Sequence, residues 1–250
     1  MAVAQALEDT VPEGDERGEG SLVEAEVALD QPGGQPGDGQ ELMELAQQLG
    51  CRKAGAQERR LGCRQGGSTG WGAALRAGAE VEVAHWPCSG WQVDEAFPRF
   101  LPLPPEVSRL RDLGDSIMTA IVLAPLEAGP IRFTDLGRLR VQECERVGAL
   151  RAELVKCGAA VREEGDELLV SPSPLHGAEI ETYDDHRMAM CFAILGLKVP
   201  GIRIKNPSCV KKTFPDFFQK LAAAPPSGLG AVIRDAVTGE PLGPERLLAD

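Results

Sequence analysis

The chain has 250 residues, of which 43% are hydrophobic and 26% charged, a composition that excludes a wholly disordered protein and leaves room for a sizeable core. Its longest apolar runs fall well short of the roughly 20 residues that a membrane-spanning helix needs. The net charge of −12 and the lack of a basic stripe argue against a nucleic-acid surface, so we expect neither a membrane nor nucleic acid as a partner.

The negative charge is concentrated at the N-terminus. Ten of the 38 acidic residues and one of the 26 basic residues lie in residues 1–40, so this segment carries −9 of the net charge. Its abundant Gly, Pro and Gln residues predict an acidic disordered tail over 1–40. The segment resembles neither a transit peptide nor a secretory signal. We therefore expect a cytoplasmic protein, or a plastid protein if the true N-terminus is missing.

The seven cysteines include no CxxC pair. An odd number of cysteines without metal-ligand spacing predicts reduced thiols in a reducing compartment, rather than a zinc site or a disulfide framework. No metal site is expected on this basis.

Apolar periodicity predicts few elements in the first part of the chain. A helix is indicated over 41–49 and a strand over 79–84, followed by a proline-rich connector at 97–105. Residues 41–106 are otherwise poorly defined and are compatible with a degenerate repeat unit.

Residues 107–222 are more regular, and we assign them to one domain followed by a loose tail over 223–250. Alternating strands and helices indicate the α/β (α+β) class. The predicted helices span 116–124, 142–156, 184–197 and 213–221, the last with Thr213 as its N-cap. The predicted strands span 131–134, 160–163, 167–170 and 201–205, the second and third forming a hairpin.

Charged residues gather where these helices begin. Asp115 precedes the first helix, and Glu143 and Arg146 lie at the start of the second. Arg187 ends an Asp-Asp-His-Arg run at the start of the third, and Lys212 precedes the fourth. Taken singly, most of these residues have a plainer interpretation as an N-cap, an ordinary ion pair or a solvated lysine. These plainer interpretations fit the Asp-Asp-His-Arg run less well, because the helix that it begins is apolar on nearly every face.

Together these residues predict a site for a small, strongly anionic substrate. Helix N-termini favour anions, and arginine adds a two-pronged donor for carboxylate or phosphate. Arg146, Arg187 and Lys212 would hold the substrate. Asp115 and Glu143 are candidates for acid–base chemistry, and a proton-donating Glu143 would have to be partly desolvated.

Several segments of the sequence match a known family. ETYDDHRMAMCFAILGL at 181–197 and KKTFPDFFQKL at 211–221 are similar to the C-terminal end of the enolpyruvyl-shikimate-phosphate synthase family. GDSIMTA at 114–120 and LRVQECER at 139–146 resemble upstream segments of the family in the right order. The resemblance covers about residues 107–222.

The resemblance implies a fold of two similar domains, each a three-fold pseudo-repeat of βαβαββ units, of which this chain would hold an incomplete copy. It implies transfer of the carboxyvinyl group of phosphoenolpyruvate to the 5-hydroxyl of shikimate 3-phosphate, with release of phosphate, on the way to chorismate and the aromatic amino acids. No metal or organic cofactor is implied. The family's N-terminal substrate-binding segments are missing from this sequence. A complementing N-terminal half, or a multifunctional shikimate-pathway protein, is therefore a candidate partner.

The family's residue roles can be carried over to matching positions. The resemblance makes Asp115 the acid–base group at the substrate hydroxyl, Glu143 the proton donor to the methylene carbon, and His186 a supporting residue. The residues that would bind phosphoenolpyruvate are Arg146, Arg187 and Lys212.

Two positions that contact shikimate 3-phosphate in the family depart from its pattern. Gln142 stands where the family has lysine, and Arg138 stands where it usually has asparagine. Loss of an ammonium from a charged hydrogen bond costs about 1.5–3 kcal/mol. Arg138 could restore the positive charge.

Two other interpretations stay open. The chain could be a catalytically inactive relative, or a binding or scaffold half that needs an N-terminal partner, which Gln142 and the missing segments favour. It could also resemble the enolpyruvyl transferase that acts on a UDP-sugar in cell-wall synthesis, although the segments at 184–190 and 211–218 argue against that substrate.

Overall fold

The computed structural model describes residues 24–28, 90–91, 93–224 and 227–249. Within these ranges the strands form two four-stranded sheets, against which α-helices pack. The strands are β1 (Glu24–Ala28), β2 (Glu106–Ser108), β3 (Ile131–Thr134), β4 (Ala160–Glu164), β5 (Glu167–Ser171), β6 (Glu179–Ile180), β7 (Arg203–Lys205) and β8 (Val232–Asp235). The α-helices are α1 (Ile117–Leu123), α2 (Arg146–Lys156), α3 (His186–Gly196) and α4 (Phe217–Ala222). The 3-10 helices are Val93–Phe100, Gly114–Ser116, Ala124–Leu126, Leu136–Val141, Pro207–Lys212 and Pro244–Arg246, and Arg109–Leu113 is a π-helix.

Both sheets mix parallel and antiparallel pairs. One has the order β2-β3-β5-β4, in which β2 and β3 are parallel and the other pairs antiparallel. The other has the order β6-β7-β1-β8, in which β6 and β7 are parallel and β1 is antiparallel to both of its neighbours. The predicted α/β class is confirmed. None of the helices among the described residues is long and apolar enough to cross a membrane.

Helices α1 and α3 contact each other in the core. Every residue of α1 except Thr119 is buried, and so is every residue of α3 except Arg187 and Met190. Such helices bury nearly all of their surface, so the charged residues that precede them lie where the helices leave the core. This arrangement places the N-terminus of α1 beside that of α3.

The strongest local patterns predicted the elements well. Helix α1 lies within the predicted range, β3 has the predicted bounds, and β4 and β5 form the predicted hairpin. Gly165 at its turn has a φ of 58°, a left-handed conformation that glycine adopts without a steric penalty. Helix α3 begins two residues later than predicted because Asp185 is its N-cap and accepts a hydrogen bond from the Arg187 N–H.

Two other helices begin four residues later than the sequence predicted. Helix α2 was expected from Gln142 but begins at Arg146, because the Glu145 side chain caps it by accepting from the Gly148 N–H. Helix α4 was expected from Thr213 but begins at Phe217. Pro215 disfavours the helical conformation of the residue before it, and this explains the later start. The prediction of Thr213 as an N-cap is therefore wrong.

Two strands lie in segments for which no fold was expected. Strand β1 lies within the expected disordered tail over 1–40, and β8 lies within the expected loose tail over 223–250. Both sets of bounds stay predictions. The composition of the N-terminal segment hides the alternating pattern EAEVA in β1. The backbone register pairs Glu26 with Arg203 of β7 and with Arg234 of β8.

The remaining expectations concern the elements before residue 107 and the bounds of the domain. The helix expected over 41–49 and the strand expected over 79–84 lie outside the described residues. Part of the expected connector at 97–105 belongs to the 3-10 helix Val93–Phe100. The domain bounds of 107–222 stay a prediction.

Candidate active site

Four separate segments bring charged side chains together at the N-termini of α1, α2 and α3. The fourth segment is the end of the 3-10 helix Pro207–Lys212. The predicted site residues that lie in this connected network are Asp115, Gln142, Glu143, Arg146, His186, Arg187 and Lys212. Arg138 is exposed, and among the described residues no side chain forms an ion pair with it.

The most deeply buried part of the site is the pair of Arg146 and Asp185. Their side chains are 2% and 0% exposed. Arg146 Nε and Nη2 lie 2.6 and 3.2 Å from the two carboxylate oxygens, and Nη1 donates to Gln142 Oε1 at 2.5 Å. Burial opposes both charges, but the pair's hydrogen bonds and mutual attraction outweigh it. The pKa of Arg146 is therefore raised and the pKa of Asp185 lowered.

Asp115 lies among three arginines. Its Oδ1 accepts from Arg109 Nη2 at 2.6 Å and Nε at 3.2 Å, and its Oδ2 accepts from Gln142 Nε2 at 3.2 Å. Arg146 Nη1 and Arg187 Nη2 lie 3.6 and 3.7 Å from Oδ2. Burial alone would raise the pKa of Asp115, but the hydrogen bond from Arg109 and the charge of Arg187 outweigh it, so this pKa is lowered.

Glu143 joins a histidine to a lysine. Its Oε2 lies 3.0 Å from His186 Nδ1, and its Oε1 accepts from Lys212 Nζ at 2.6 Å. Burial lowers the pKa of His186 despite the neighbouring carboxylates of Glu143 and Asp185. A neutral His186 that donates its Nδ1–H to Glu143 keeps Nε2 as an acceptor.

The site can accept an anion at two cations that solvent reaches, one exposed and one half-buried. Arg187 is 34% exposed and Lys212 is 60% exposed, whereas Arg146 is buried and fully engaged by its neighbours. Arg146 therefore supports the site from behind, and binding through it would require Gln142 or Asp185 to yield a hydrogen bond. Gln142 bridges Arg146 and Asp115, a neutral link between a cation and an anion.

Two residues of the network were not predicted. Asp185 could have been found, because an aspartate directly before a helix is a preferred N-cap. No sequence pattern pointed to Arg109, since it lies six residues before Asp115 in a short π-helix.

Three side chains offer atoms at the spacing of a metal site. Ligand atoms of Glu143, Asp185 and His186 all lie within 4.8 Å of one another. However, the oxygens of Glu143 bond Lys212 and His186, and those of Asp185 bond Arg146. A divalent cation would have to displace Lys212 or Arg146 from three of these four oxygens, so the donor set suits an anion site better.

Cys144 is predicted to react slowly with alkylating reagents in the folded chain. Its Sγ lies 3.5 Å from Asp185 Oδ2, and burial together with the Asp185 charge raises the pKa of Cys144 to about 12. About one thiol in ten thousand would then be ionised at pH 8, against roughly one quarter for an ordinary cysteine. Iodoacetamide labelling followed by peptide mapping should show alkylation about a thousandfold slower than that of glutathione. The urea-unfolded chain is the control, and equal rates in the two states would contradict the prediction.

Comparisons with known proteins identify relatives of this chain. The model of one family, described as EPSP synthase (3-phosphoshikimate 1-carboxyvinyltransferase), matches residues 74–221. A 3-phosphoshikimate 1-carboxyvinyltransferase of Nostoc punctiforme is 46% identical over 111 residues, covering 44% of this chain and 26% of the relative. One from Rhizobium etli is 43% identical over 148 residues, covering 56% of this chain and 34% of the relative.

A solved structure is also similar. EPSP synthase from Acinetobacter baumannii is 28% identical with a TM-score of 0.43, over 48% of this chain and 28% of that one. The chain thus spans about a quarter to a third of the length of the curated relatives that it matches.

Proposed function

The chain belongs to the EPSP synthase (3-phosphoshikimate 1-carboxyvinyltransferase) family, and we propose that it takes part in the reaction which that name describes. The carboxyvinyl group of phosphoenolpyruvate would pass to the 5-hydroxyl of shikimate 3-phosphate, and phosphate would leave. One observation carries the proposal: each of two carboxylates has a solvent-accessible cation beside it. Lys212 Nζ lies 2.6 Å from Glu143, and Arg187 Nη2 lies 3.7 Å from Asp115.

The cations would bind phosphoenolpyruvate. Arg187 and Lys212 are accessible from solvent, and their charges suit a ligand that carries both a phosphate and a carboxylate. Arg146 would add positive charge from behind them, 3.6 Å from Asp115. Arg138 and Gln142 are the candidates for contact with shikimate 3-phosphate, Gln142 through the amide that now bonds Asp115.

The carboxylates would move the protons. In the addition step, Asp115 takes the proton of the 5-hydroxyl, and the hydroxyl oxygen bonds C2 of phosphoenolpyruvate. At the same time Glu143 gives a proton to the methylene carbon. In the elimination step, Glu143 takes a proton back from the new methyl group, the double bond reforms, and phosphate departs with the proton that Asp115 had accepted. Transfer of the Lys212 ammonium from Glu143 to the substrate phosphate would free Oε1 to carry the proton, with His186 holding Oε2.

A second function is a non-catalytic binding half. Gln142 favours it, because a neutral amide occupies the position where the resembling family has lysine. Such a chain would bind phosphoenolpyruvate at Arg187 and Lys212 without turnover, or would act only when joined to a complementing N-terminal half.

The transferase proposal predicts phosphate release that depends on Lys212. The full chain is incubated with phosphoenolpyruvate and shikimate 3-phosphate, with and without an N-terminal half from a relative. Lys212→Ala should lower kcat/KM by about tenfold or more, since it removes a charged hydrogen bond. Lys220→Ala is the control, because Lys220 pairs with Asp216 away from the site.

No phosphate release in either assay would contradict the transferase proposal. Calorimetry would then show whether phosphoenolpyruvate binding depends on Arg187 and Lys212, as the binding-half alternative requires. Release by Gln142→Lys alone would show that this position is the main defect.

A further inference from the structure

Arg109 makes the closest contacts to Asp115. Its Nη2 and Nε both donate to Oδ1, at 2.6 and 3.2 Å, and the two side chains are 16% and 19% exposed. A partly buried pair of this kind is screened less by solvent than a surface ion pair. No other cation in the described part of the chain lies nearer to this carboxylate.

The segment that carries Arg109 is fixed at both ends. Ser108 is fully buried and caps the π-helix, its Oγ accepting from the Arg111 N–H at 3.1 Å. At the other end the Gly114 N–H donates to the Arg109 carbonyl, and Gly114 has a φ of 53°, which glycine tolerates best. Leu113 is buried between these points. Arg109 is therefore placed by the backbone rather than by a loose surface turn.

The two oxygens of Asp115 differ because of this contact. Oδ1 is engaged by Arg109 from the π-helix. Oδ2 faces the Gln142 amide at 3.2 Å, Arg146 of α2 at 3.6 Å and Arg187 of α3 at 3.7 Å. Only Oδ2 thus points toward the accessible cation that would hold a substrate.

We propose that Arg109 is a positioning residue that holds Oδ1 of Asp115, so that Oδ2 is the oxygen that receives the substrate proton. The inference rests on the proposed function, in which Asp115 accepts the hydroxyl proton. Arg109 also supplies one of three positive charges around one carboxylate, which keeps Asp115 ionised and ready to accept.

The test compares Arg109→Gln with Arg111→Gln in the full chain. Arg111 lies on the same π-helix but is 66% exposed and pairs at 3.5 Å with Glu106. The carboxyl carbon of Asp115 is followed by NMR as a function of pH, after assignment with Asp115→Asn. The pKa of Asp115 should rise in Arg109→Gln, rise less in Arg109→Lys, and stay unchanged in Arg111→Gln.

A kinetic readout separates positioning from stability. In the active chain or the complemented pair, Arg109→Gln should lower kcat about tenfold, leave KM nearly unchanged, and move the acid limb of the pH profile upward. An Asp115 pKa unmoved by Arg109→Gln, or moved equally by Arg111→Gln, would overturn the inference. The NMR titration needs no turnover, so it decides the role of Arg109 even if the transferase proposal fails.

Discussion

Replacement of Arg146 by methionine is expected to lower the free energy of unfolding by about 3–5 kcal/mol. The variant keeps the buried aliphatic stem but leaves the Asp185 carboxylate, 0% exposed, without its cation. An unpaired buried charge is far more costly than the loss of an exposed ion pair. Urea unfolding followed by circular dichroism measures the change.

Arg151→Met is the matched control. Arg151 lies on the same helix, is 50% exposed, and reaches Glu163 only at 4.0 Å. Its loss should change the free energy of unfolding by less than about 1 kcal/mol. A similar loss in both variants would mean that helix α2, rather than the buried pair, is responsible.

The effect of Arg146→Met should depend on pH with a definite sign. In the native chain the pKa of Asp185 lies below its ordinary value of 3.8, so the pair's stabilisation is present above that value and is lost as the pH falls. In the variant, burial without a partner raises the pKa of Asp185, and the penalty disappears once the group is protonated. The difference between the two proteins should therefore be largest near neutral pH and shrink on acidification.

A second substitution tests the same reasoning. Asn can still cap α3, so Arg146→Met combined with Asp185→Asn removes the orphan charge while keeping the cap. The double variant should regain part of the stability that the single variant loses. A double variant less stable than the single one would show that the ion pair is not the source of the effect.

Local periodicity explains why some of the fold could be predicted from the sequence. The apolar run of α1, the uniformly apolar α3 and the hairpin at Gly165 are each determined by neighbours a few residues apart. Strand β1 could not be found from local periodicity, because its partners β7 and β8 lie far along the chain. In its sequence EAEVA, only the first four residues alternate between polar and apolar, and this is too short a pattern to predict a strand.

The candidate site shows the same limit. Charged residues at helix starts could be read from the sequence, but the contact of Glu143 with Lys212 joins residues 69 positions apart. Resemblance to a family grouped them, but it could not show that the Arg146 side chain, expected to bind the substrate, is only 2% exposed. Arg109 was missed because no local pattern connects a π-helix arginine with an aspartate six residues later.

Glu153 supports the segment that leads into the site. It is fully buried on α2 and accepts from the Glu181 N–H at 3.1 Å, Tyr183 Oη at 2.8 Å and Lys156 Nζ at 2.7 Å. Tyr183 and Asp184 both have a φ of 55°, an unfavourable left-handed conformation for residues other than glycine. The Glu153 contacts therefore offset backbone strain two residues before His186.

Glu153→Ala is expected to lower the free energy of unfolding by about 2–4 kcal/mol, because it removes three hydrogen bonds to a buried side chain and creates a cavity. Tyr183→Phe removes only one of these hydrogen bonds and should cost about 1 kcal/mol. The exposed Glu164, which pairs with Arg162 at 3.0 Å, provides the control Glu164→Ala, with an expected change below about 0.5 kcal/mol. Urea unfolding gives these values.

Hydrogen exchange locates the effect of Glu153→Ala. If Glu153 holds the strained segment, the substitution should increase the exchange rates of the amides of residues 181–187 over those of the unchanged chain. The increase should be smaller for the amides of the hairpin β4–β5. Uniform acceleration across the chain would instead mean global destabilisation alone. Because the segment ends at Arg187, its loosening should also weaken the phosphoenolpyruvate binding that we propose there, which Glu164→Ala should leave unchanged.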